Sequence, residues 1–229
     1  MKTWTVNDVM TTAVVTVSPG TPYRDVVDLL VGNRFSAVPV VDEFQRVTGV
    51  VSEADLLRKI EYADAEKPRL FEGRRRRGQW VKASARAAAE LMSTPAVTVL
   101  VNTSLPAAAR LMDSEGVKRL PVVDDLSRLV GIVSRGDLLK VHLRPDDDIH
   151  ADVQSGVLVP FLADEADTVG LTVSDGVVTF AGRVDRWSSA DIAVRLTRQV
   201  SGVVEVVDEL EYDHDDRDVL GTGMAFGVS

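Results

Sequence analysis

Two short segments carry the side chains most suggestive of chemistry: Ser52-Glu53-Ala54-Asp55 and Ser134-Arg135-Gly136-Asp137, the same Ser-x-x-Asp spacing 82 residues apart. A hydroxyl followed three positions later by an acid is the pattern of a helix N-terminal cap, in which the two side chains satisfy backbone N–H groups reciprocally. The start of a helix also favours an anion, because unpaired N–H groups and the helix dipole both point toward it. Each segment therefore starts a helix, holds a phosphate at that start, or does both. Little else in the chain suggests catalysis. Cysteine is absent, which removes thiolate nucleophiles, disulfides and thiolate metal sites. His142, His150 and His214 have no metal-ligand spacing. His214, beside Asp213, Asp215 and Asp216, offers a weak cation site at most, and a solvated acidic stretch is the plainer reading. No nucleophile elbow, Walker loop or dinucleotide fingerprint is present. Trp4, Trp80 and Trp187 are scattered, as packing residues are. We expect no enzyme, no required cofactor and no metal.

The two segments belong to a longer repetition. An offset of 82 pairs residues 10–57 with 92–139 without a gap and yields eighteen identities, among them Met10/Met92, Thr16/Thr98, Pro39/Pro121, Asp42/Asp124, Gly49/Gly131, Ser52/Ser134 and Asp55/Asp137. Two copies are too few for a solenoid. They imply a pair packed about a pseudo-twofold axis.

The elements that must position the Ser-x-x-Asp segments read in the same order in each copy. Val14–Val17 forms a short extended run, and Ser18-Pro19-Gly20-Thr21-Pro22 turns into a helix carrying Val26, Val27, Leu29 and Leu30. Strands Ala37–Val41 and Val47–Val51 follow, joined by the polar turn Asp42–Arg46, and a last helix starts at Ser52. The second copy runs Val97–Val99, Leu105–Met112, Arg119–Val123, Leu129–Val133 and Ser134–Val141. The expected order is β-α-β-β-α, twice.

Residues 61–86 separate the copies and contain Arg74, Arg75, Arg76 and Arg77 close to Trp80. Four arginines in a long loop read either as a solvated, self-repelling run or as a phosphate contact to a ligand or nucleic acid. Farther along, Arg144-Pro145-Asp146-Asp147-Asp148 marks a boundary. Beyond it a helix over 152–161, strand Gly170–Val173, a turn at Asp175-Gly176, strand Val177–Ala181, a helix over 187–200 and a strand over 202–210 give a small α-β-β-α-β domain. Residues 214–229 read as a flexible tail.

The net charge of −9 is unevenly divided: residues 1–143 hold 20 Lys or Arg and 17 Asp or Glu (net +3), and residues 144–229 hold 6 and 18 (net −12). The acidic part is repelled by phosphate backbones and anionic lipid, so any polyanion must bind the first part. No apolar run is long enough to span a membrane and no signal-peptide pattern opens the sequence, so a cytoplasmic location is expected.

Apolar-Pro-Val-Val-Asp, followed by Gly-apolar-Val-Ser-x-x-Asp-Leu-Leu, resembles the cystathionine-β-synthase-type (CBS) motif, and the two copies, 1–60 and 87–144, look like one tandem pair, or Bateman module. The resemblance implies an α/β architecture (α+β in its antiparallel strand pairs) with two clefts that commonly take adenosine-containing ligands, and association into a homodimer. It assigns Asp55 and Asp137 to ribose hydroxyls, and Ser52 and Ser134 to the ribose or phosphate. A carboxylate has two acceptor oxygens for the two donors of a cis-diol. By the same resemblance, the backbone of Ser36, Ala37, Val38 and Pro39, and that of Lys118, Arg119, Leu120 and Pro121, meets the base, and Thr16 and Thr98 lie near its edge. Only the second copy carries cations there, Lys118 and Arg119, so its cleft is the expected stronger nucleotide site.

Residues 149–213, through Val173-Ser174-Asp175-Gly176-Val177-Val178-Thr179-Phe180-Ala181-Gly182 and Gly202-Val203-Val204-Glu205-Val206, resemble a BON domain. Such domains are often membrane-associated. This one is acidic, and a contact to an as yet unknown protein partner is weighted above lipid.

The expected function is a regulatory ligand sensor in which the CBS pair binds AMP, ADP, ATP, S-adenosylmethionine or NAD and the BON domain relays occupancy. The alternatives are a dimerisation scaffold with empty clefts, or nucleic-acid binding through Arg74–Arg77. Membrane and nucleic-acid partners are disfavoured by charge.

Overall fold

The computed structural model describes residues 4–61, 85–163, 165 and 168–217. The four arginines at 74–77 lie outside these residues. Two compact units are present, one of Thr5–Leu138 and one combining Met1–Trp4 with Leu139–Ser229.

In the first unit the two copies fold alike. The first holds α1 (Val6–Val9), α2 (Tyr23–Asn33), β1 (Ala37–Val41), β2 (Val47–Ser52) and α3 (Glu53–Glu61); the second holds α4 (Ala88–Leu91), β3 (Val99–Leu100), α5 (Leu105–Ser114), β4 (Arg119–Val123), β5 (Leu129–Ser134) and α6 (Arg135–Leu139). Pro22 precedes α2 as its N-cap and Pro106 sits in the first turn of α5, where a missing N–H costs nothing. β1 pairs antiparallel with β2 and β4 with β5, each with an irregularity before the last pair. The expected leading strand shrinks to a single parallel bridge, Val17 to Val40, in the first copy and to the two residues of β3 in the second.

The turns between paired strands are also alike. Asp42 Oδ1 accepts the Phe44 and Arg46 N–H groups, both at 2.9 Å, and Asp124 Oδ1 accepts those of Leu126 and Arg128 at the same distances. The backbone N–H of Arg128, with its guanidinium, holds the Asp124 carboxyl below the usual carboxylate range. Each turn also binds its counterpart, with the Leu129 N–H donating to Gln45 O at 2.8 Å and the Val47 N–H to Ser127 O at 3.3 Å.

The short leading helices α1 and α4 were not expected, and they exchange places. Segment 85–93 packs on the first copy: the Tyr23 N–H donates to Arg86 O, the Ala88 N–H to Thr21 O, and Ser93 and Val50 bond each other. Ala85, Ala88 and Leu91 accordingly join Val26, Leu30, Val38, Val40 and Val51 in one buried core. Reciprocally, the Val6 N–H donates to Thr103 O, and Thr11 and Ile132 bond each other. Glycine makes the exchange possible. A Cβ on Gly49 would lie 2.4 Å from Met92 Sδ and 2.9 Å from Met92 Cβ, and one on Gly131 would lie 2.5 Å from Met10 Sδ and 3.2 Å from Thr11 O.

The second unit has the expected α-β-β-α-β order with shifted bounds. Its first helix starts earlier than expected, as α7 (Asp146–Val153), and continues through a π-helical turn (Gln154–Leu158) into α8 (Val159–Phe161). The charge run read as a boundary is therefore a helix start, with Pro145 at the N-cap and three aspartates in the first turn. The widened turn precedes Pro160, which has no N–H to continue an α ladder. β6 (Val169–Ser174) and β7 (Val177–Arg186) form a hairpin, α9 (Trp187–Thr197) follows, and β8 (Glu205–His214) lies parallel to β7 on the side away from β6. Phe180, Val178, Ile149, Val157, Leu158 and Ala193 centre the core.

Both hairpin-turn residues have positive φ, 51° at Asp175 and 75° at Gly176, and their N–H groups donate to the Asp146 carboxylate at 2.8 and 2.9 Å. Arg144 is largely buried, ion-paired to Asp152 at 2.8 Å and bonded to Ser201 O, with the Trp4 ring 5.4 Å away. Trp4 donates its backbone N–H to Ser201 Oγ at 3.1 Å. Contrary to the expected tail from 214, His214 ends β8, and Asp216 receives both the backbone N–H (3.0 Å) and the hydroxyl (2.6 Å) of Ser188 at the start of α9.

Two outcomes test this account. Gly49→Ala destabilises by about 1–3 kcal/mol through overpacking, and more than Gly131→Ala, because at Gly49 the clash reaches the fixed Cβ of Met92 while at Gly131 the flexible end of Met10 can swing away. Denaturant midpoints that rank the two in the opposite order would refute the exchange as the tighter constraint. Asp146→Ala costs about 2 kcal/mol through lost charge-assisted hydrogen bonds. Hydrogen exchange should show faster exchange at the Asp175 and Gly176 amides in that variant.

Candidate ligand clefts

Each Ser-x-x-Asp segment sits where a strand passes directly into a helix, β2 into α3 and β5 into α6. Asp55 Oδ2 accepts the Ser52 N–H at 3.0 Å and hydroxyl at 2.7 Å; Asp137 Oδ2 accepts the Ser134 N–H at 2.9 Å and hydroxyl at 2.6 Å. The acid half of the cap is thus present in both copies, and the second also has the reciprocal bond, from the Asp137 N–H to Ser134 Oγ at 3.3 Å. The next residue ties the helix start to the head of the neighbouring strand, with the Glu53 N–H donating to Ser36 O and the Arg135 N–H to Lys118 O, both at 3.1 Å.

Two clefts lie beside these junctions and are related by the internal twofold. Cleft 1 is walled by Ser36, Ala37, Val50 and Ser52 of the first copy and by Gly116, Val117, Lys118 and Arg119 of the second, with Glu53 and Ala54 at the start of α3. Cleft 2 is walled by Ser134, Asp137, Ile132 and Arg119 of the second copy and by Phe35, Ala37 and the stretch 11–15 of the first. Their volumes are about 210 Å³ and about 110 Å³. Both copies contribute to both clefts, so neither copy alone contains a site.

The equivalence stops at the side chains. Asp137 is half-buried and lines cleft 2, whereas Asp55 is 3% exposed, lines neither cleft and has Arg58 Nη1 3.8 Å from its Oδ1. Lys118, expected beside Ser134, instead lines cleft 1 opposite Ser52. The strand ladder explains this. Arg119 pairs with Ser134 and so reaches cleft 2, while residues 116–118, ahead of β4, approach the first copy. Arg119 and Ala37 line both clefts.

Other expected residues fall elsewhere. Val38, Pro39, Leu120 and Pro121 are buried within β1 and β4 and line neither cleft. Thr16 borders a separate open hollow with Ser18, Asp42 and Gln45, away from both clefts, and Thr98 lines none of the three cavities. Conversely, Phe35, Val117, Gly116, Ile132 and residues 11–15 were missed. Only the repeat itself hinted at them, since Phe35 and Val117 are partners at the 82-residue offset. Among the described residues no group of His, Asp and Glu is arranged to hold a metal ion, and no helix is long and apolar enough to cross a membrane.

Comparison with known proteins matches this architecture. The CBS domain family model matches residues 6–62 and 88–144, and the BON domain model matches residues 145–213. The chloroplastic CBS domain-containing protein CBSX1 of Arabidopsis thaliana is 29% identical over 138 residues, 56% of this chain and 58% of that protein. The CBS domain-containing protein YhcV of Bacillus subtilis is 33% identical over 135 residues, 58% of this chain and 81% of that one. A crystal structure of CBSX2 in complex with AMP superposes with a TM-score of 0.55 at 32% identity, covering 61% of this chain and 97% of that chain. The match spans less than two thirds of the length of CBSX1 and about four fifths of YhcV. The CBS and BON domains are both non-catalytic modules, and the CBS pair is a regulatory one. With its exchanged repeats, paired strand-to-helix junctions and α-β-β-α-β second unit, the chain belongs to the CBS-domain family, as a tandem CBS pair followed by a BON domain.

Proposed function

We propose that this protein is a non-catalytic sensor whose CBS pair holds an adenosine-containing nucleotide and whose BON domain passes the occupied state to a protein partner. The observation that carries the reading is Asp137: a half-buried carboxylate, braced by Ser134, on the wall of a cleft built from both copies. A ribose offers two adjacent hydroxyl donors to such a group. The AMP complex of CBSX2, which shares the fold at 32% identity, supports the ligand class.

The charges divide the work between the clefts. Cleft 1 carries Lys118 and Arg119 against Glu53, which suits a di- or triphosphate. Cleft 2 carries Arg119 with Asp137 and apolar walls from Val14, Val15, Phe35 and Ile132, which suits adenosine with one phosphate. Both volumes lie below the about 300 Å³ at which small-molecule sites usually begin, so the clefts open further to accept a nucleotide. That opening is the differential interaction a sensor needs, because a ligand with equal affinity for two states shifts neither. Leu57 and Ile60, 59% and 73% exposed on α3, form an apolar surface suited to a second copy of the chain in a homodimer.

The Ser–Asp bonds at both helix starts favour one competing reading, a scaffold in which Ser52, Asp55, Ser134 and Asp137 only start helices. A thermal-shift panel of adenosine, AMP, ADP, ATP, S-adenosylmethionine, NAD and guanine nucleotides separates the two. AMP at 100 times its dissociation constant should add about 2.7 kcal/mol. Asp137→Ala should weaken AMP by about tenfold or more, the worth of a hydrogen bond to a charged group. Asp55→Ala should lower stability through the lost cap, by about 1 kcal/mol, with a smaller effect on AMP. Lys118→Ala should weaken ATP more than AMP. No shift for any nucleotide, with calorimetry also silent, would establish the scaffold.

A further inference from the structure

Positions 37 and 119 head β1 and β4, opposite Ser52 and Ser134 in their ladders. They are twofold partners, and they are the two residues that line both clefts. One is alanine and the other arginine, so a symmetric backbone holds a single guanidinium at the boundary of two sites. Arg119 is half-buried, and among the described residues it forms no ion pair or side-chain hydrogen bond. The neighbouring charges, Glu53 and Lys118 at cleft 1 and Asp137 at cleft 2, leave it unclaimed, since Asp137 is engaged by Ser134. A planar fork of donors without a protein acceptor is suited to a phosphate or carboxylate supplied by a ligand.

We propose that Arg119 is a shared anion contact that makes the two clefts compete. The inference rests on the nucleotide-binding reading above and adds a regulatory consequence to it. A phosphate in one cleft draws the guanidinium to itself, and a second nucleotide in the other cleft then binds without it. Filling is therefore anticooperative, and the half-occupied pair has a definite asymmetry set by which ligand holds Arg119. Replacement by alanine makes position 119 identical to position 37 and removes the competition. Ala37→Arg removes it in the opposite way, by giving each cleft its own guanidinium.

The test is calorimetry with AMP on the whole chain and on two variants that each block one cleft at an exposed wall residue, Ala54→Trp for cleft 1 and Val15→Trp for cleft 2. Independent clefts require the wild-type affinity for two AMP molecules to equal the product of the two single-cleft affinities. Sharing of Arg119 predicts a wild-type product at least tenfold weaker, or one AMP per chain at saturation although both blocked variants still bind AMP. In an Arg119→Ala background, and equally in an Ala37→Arg background, the equality should return. A wild-type product equal to the single-cleft product overturns the competition while leaving nucleotide sensing intact, as does AMP binding to only one blocked variant. Absence of AMP binding in wild type and both variants, with melting temperatures unchanged, overturns the sensing reading itself.

Discussion

The close approach of Met10 to Gly131 and of Met92 to Gly49 is the constraint on which the repeat pair depends. Each methionine follows a four-residue helix that packs on the opposite copy, and each glycine lies in a strand with no side chain to keep that helix away. A helix of one turn has no stability of its own. It exists because the other copy supplies its partners: Thr21 O and Pro19 O for Ala88 and Ala89, and Thr103 O and Val101 O for Val6 and Asn7. The two copies are therefore one folding unit, and the clefts are by-products of the same exchange. Residues 11–15 reach cleft 2 because Thr11 is bonded to Ile132.

A symmetric backbone of this kind leaves function to the side chains that break the symmetry. The strand burial patterns of β1 and β4 are identical, as are those of β2 and β5. The bonds of Asp55 and Asp137 to their serines agree to within 0.1 Å. What differs is Ser36-Ala37 against Lys118-Arg119 and the burial of Asp55 against the partial exposure of Asp137. Duplication supplies two equivalent clefts, and a handful of substitutions at their shared boundary gives them different charge without disturbing the core.

Much of this was legible in the sequence, and the failures have a physical pattern. Strands β1, β2, β4 and β5, their polar turns and the helix starts at Ser52 and Ser134 were readable because short-range hydrophobic periodicity and capping chemistry determine them. Helices α1 and α4 were not, since each packs on segments of the other copy, remote in sequence. The same remoteness put Lys118 in the wrong cleft. Motif position along the chain says which strand a residue heads, but which cleft it faces depends on how two copies cross. Val38, Pro39, Leu120 and Pro121 were expected to offer backbone to a base; their side chains belong to strands buried on both faces and line neither cleft. In the BON domain the Asp175-Gly176 hairpin was plain. The role of Asp146 was not, because an aspartate in a run of three looks like solvated charge until the fold carries one of them to the turn.

The acidic unit shows how charge composition misleads when read as surface alone. Its net −12 was read as repulsion of phosphate backbones and anionic lipid, yet several of its carboxylates are bound within the unit: Asp146 on the hairpin, Asp152 on Arg144, Asp216 on the start of α9, and Glu211 and Asp213 on Arg183 at 2.6 and 2.9 Å. The most consequential of these is the Arg144 cluster. A largely buried guanidinium is tolerated only when it is paired and bonded, and removing one partner from such a cluster leaves an uncompensated charge. Trp4 completes the cluster, its ring against Arg144 and its N–H on Ser201, and the next residue, Thr5, already belongs to the repeat pair, as does Leu138 just ahead of the chain's return to this unit. The chain thus leaves for the CBS pair and comes back from it within a few residues of one buried ion pair.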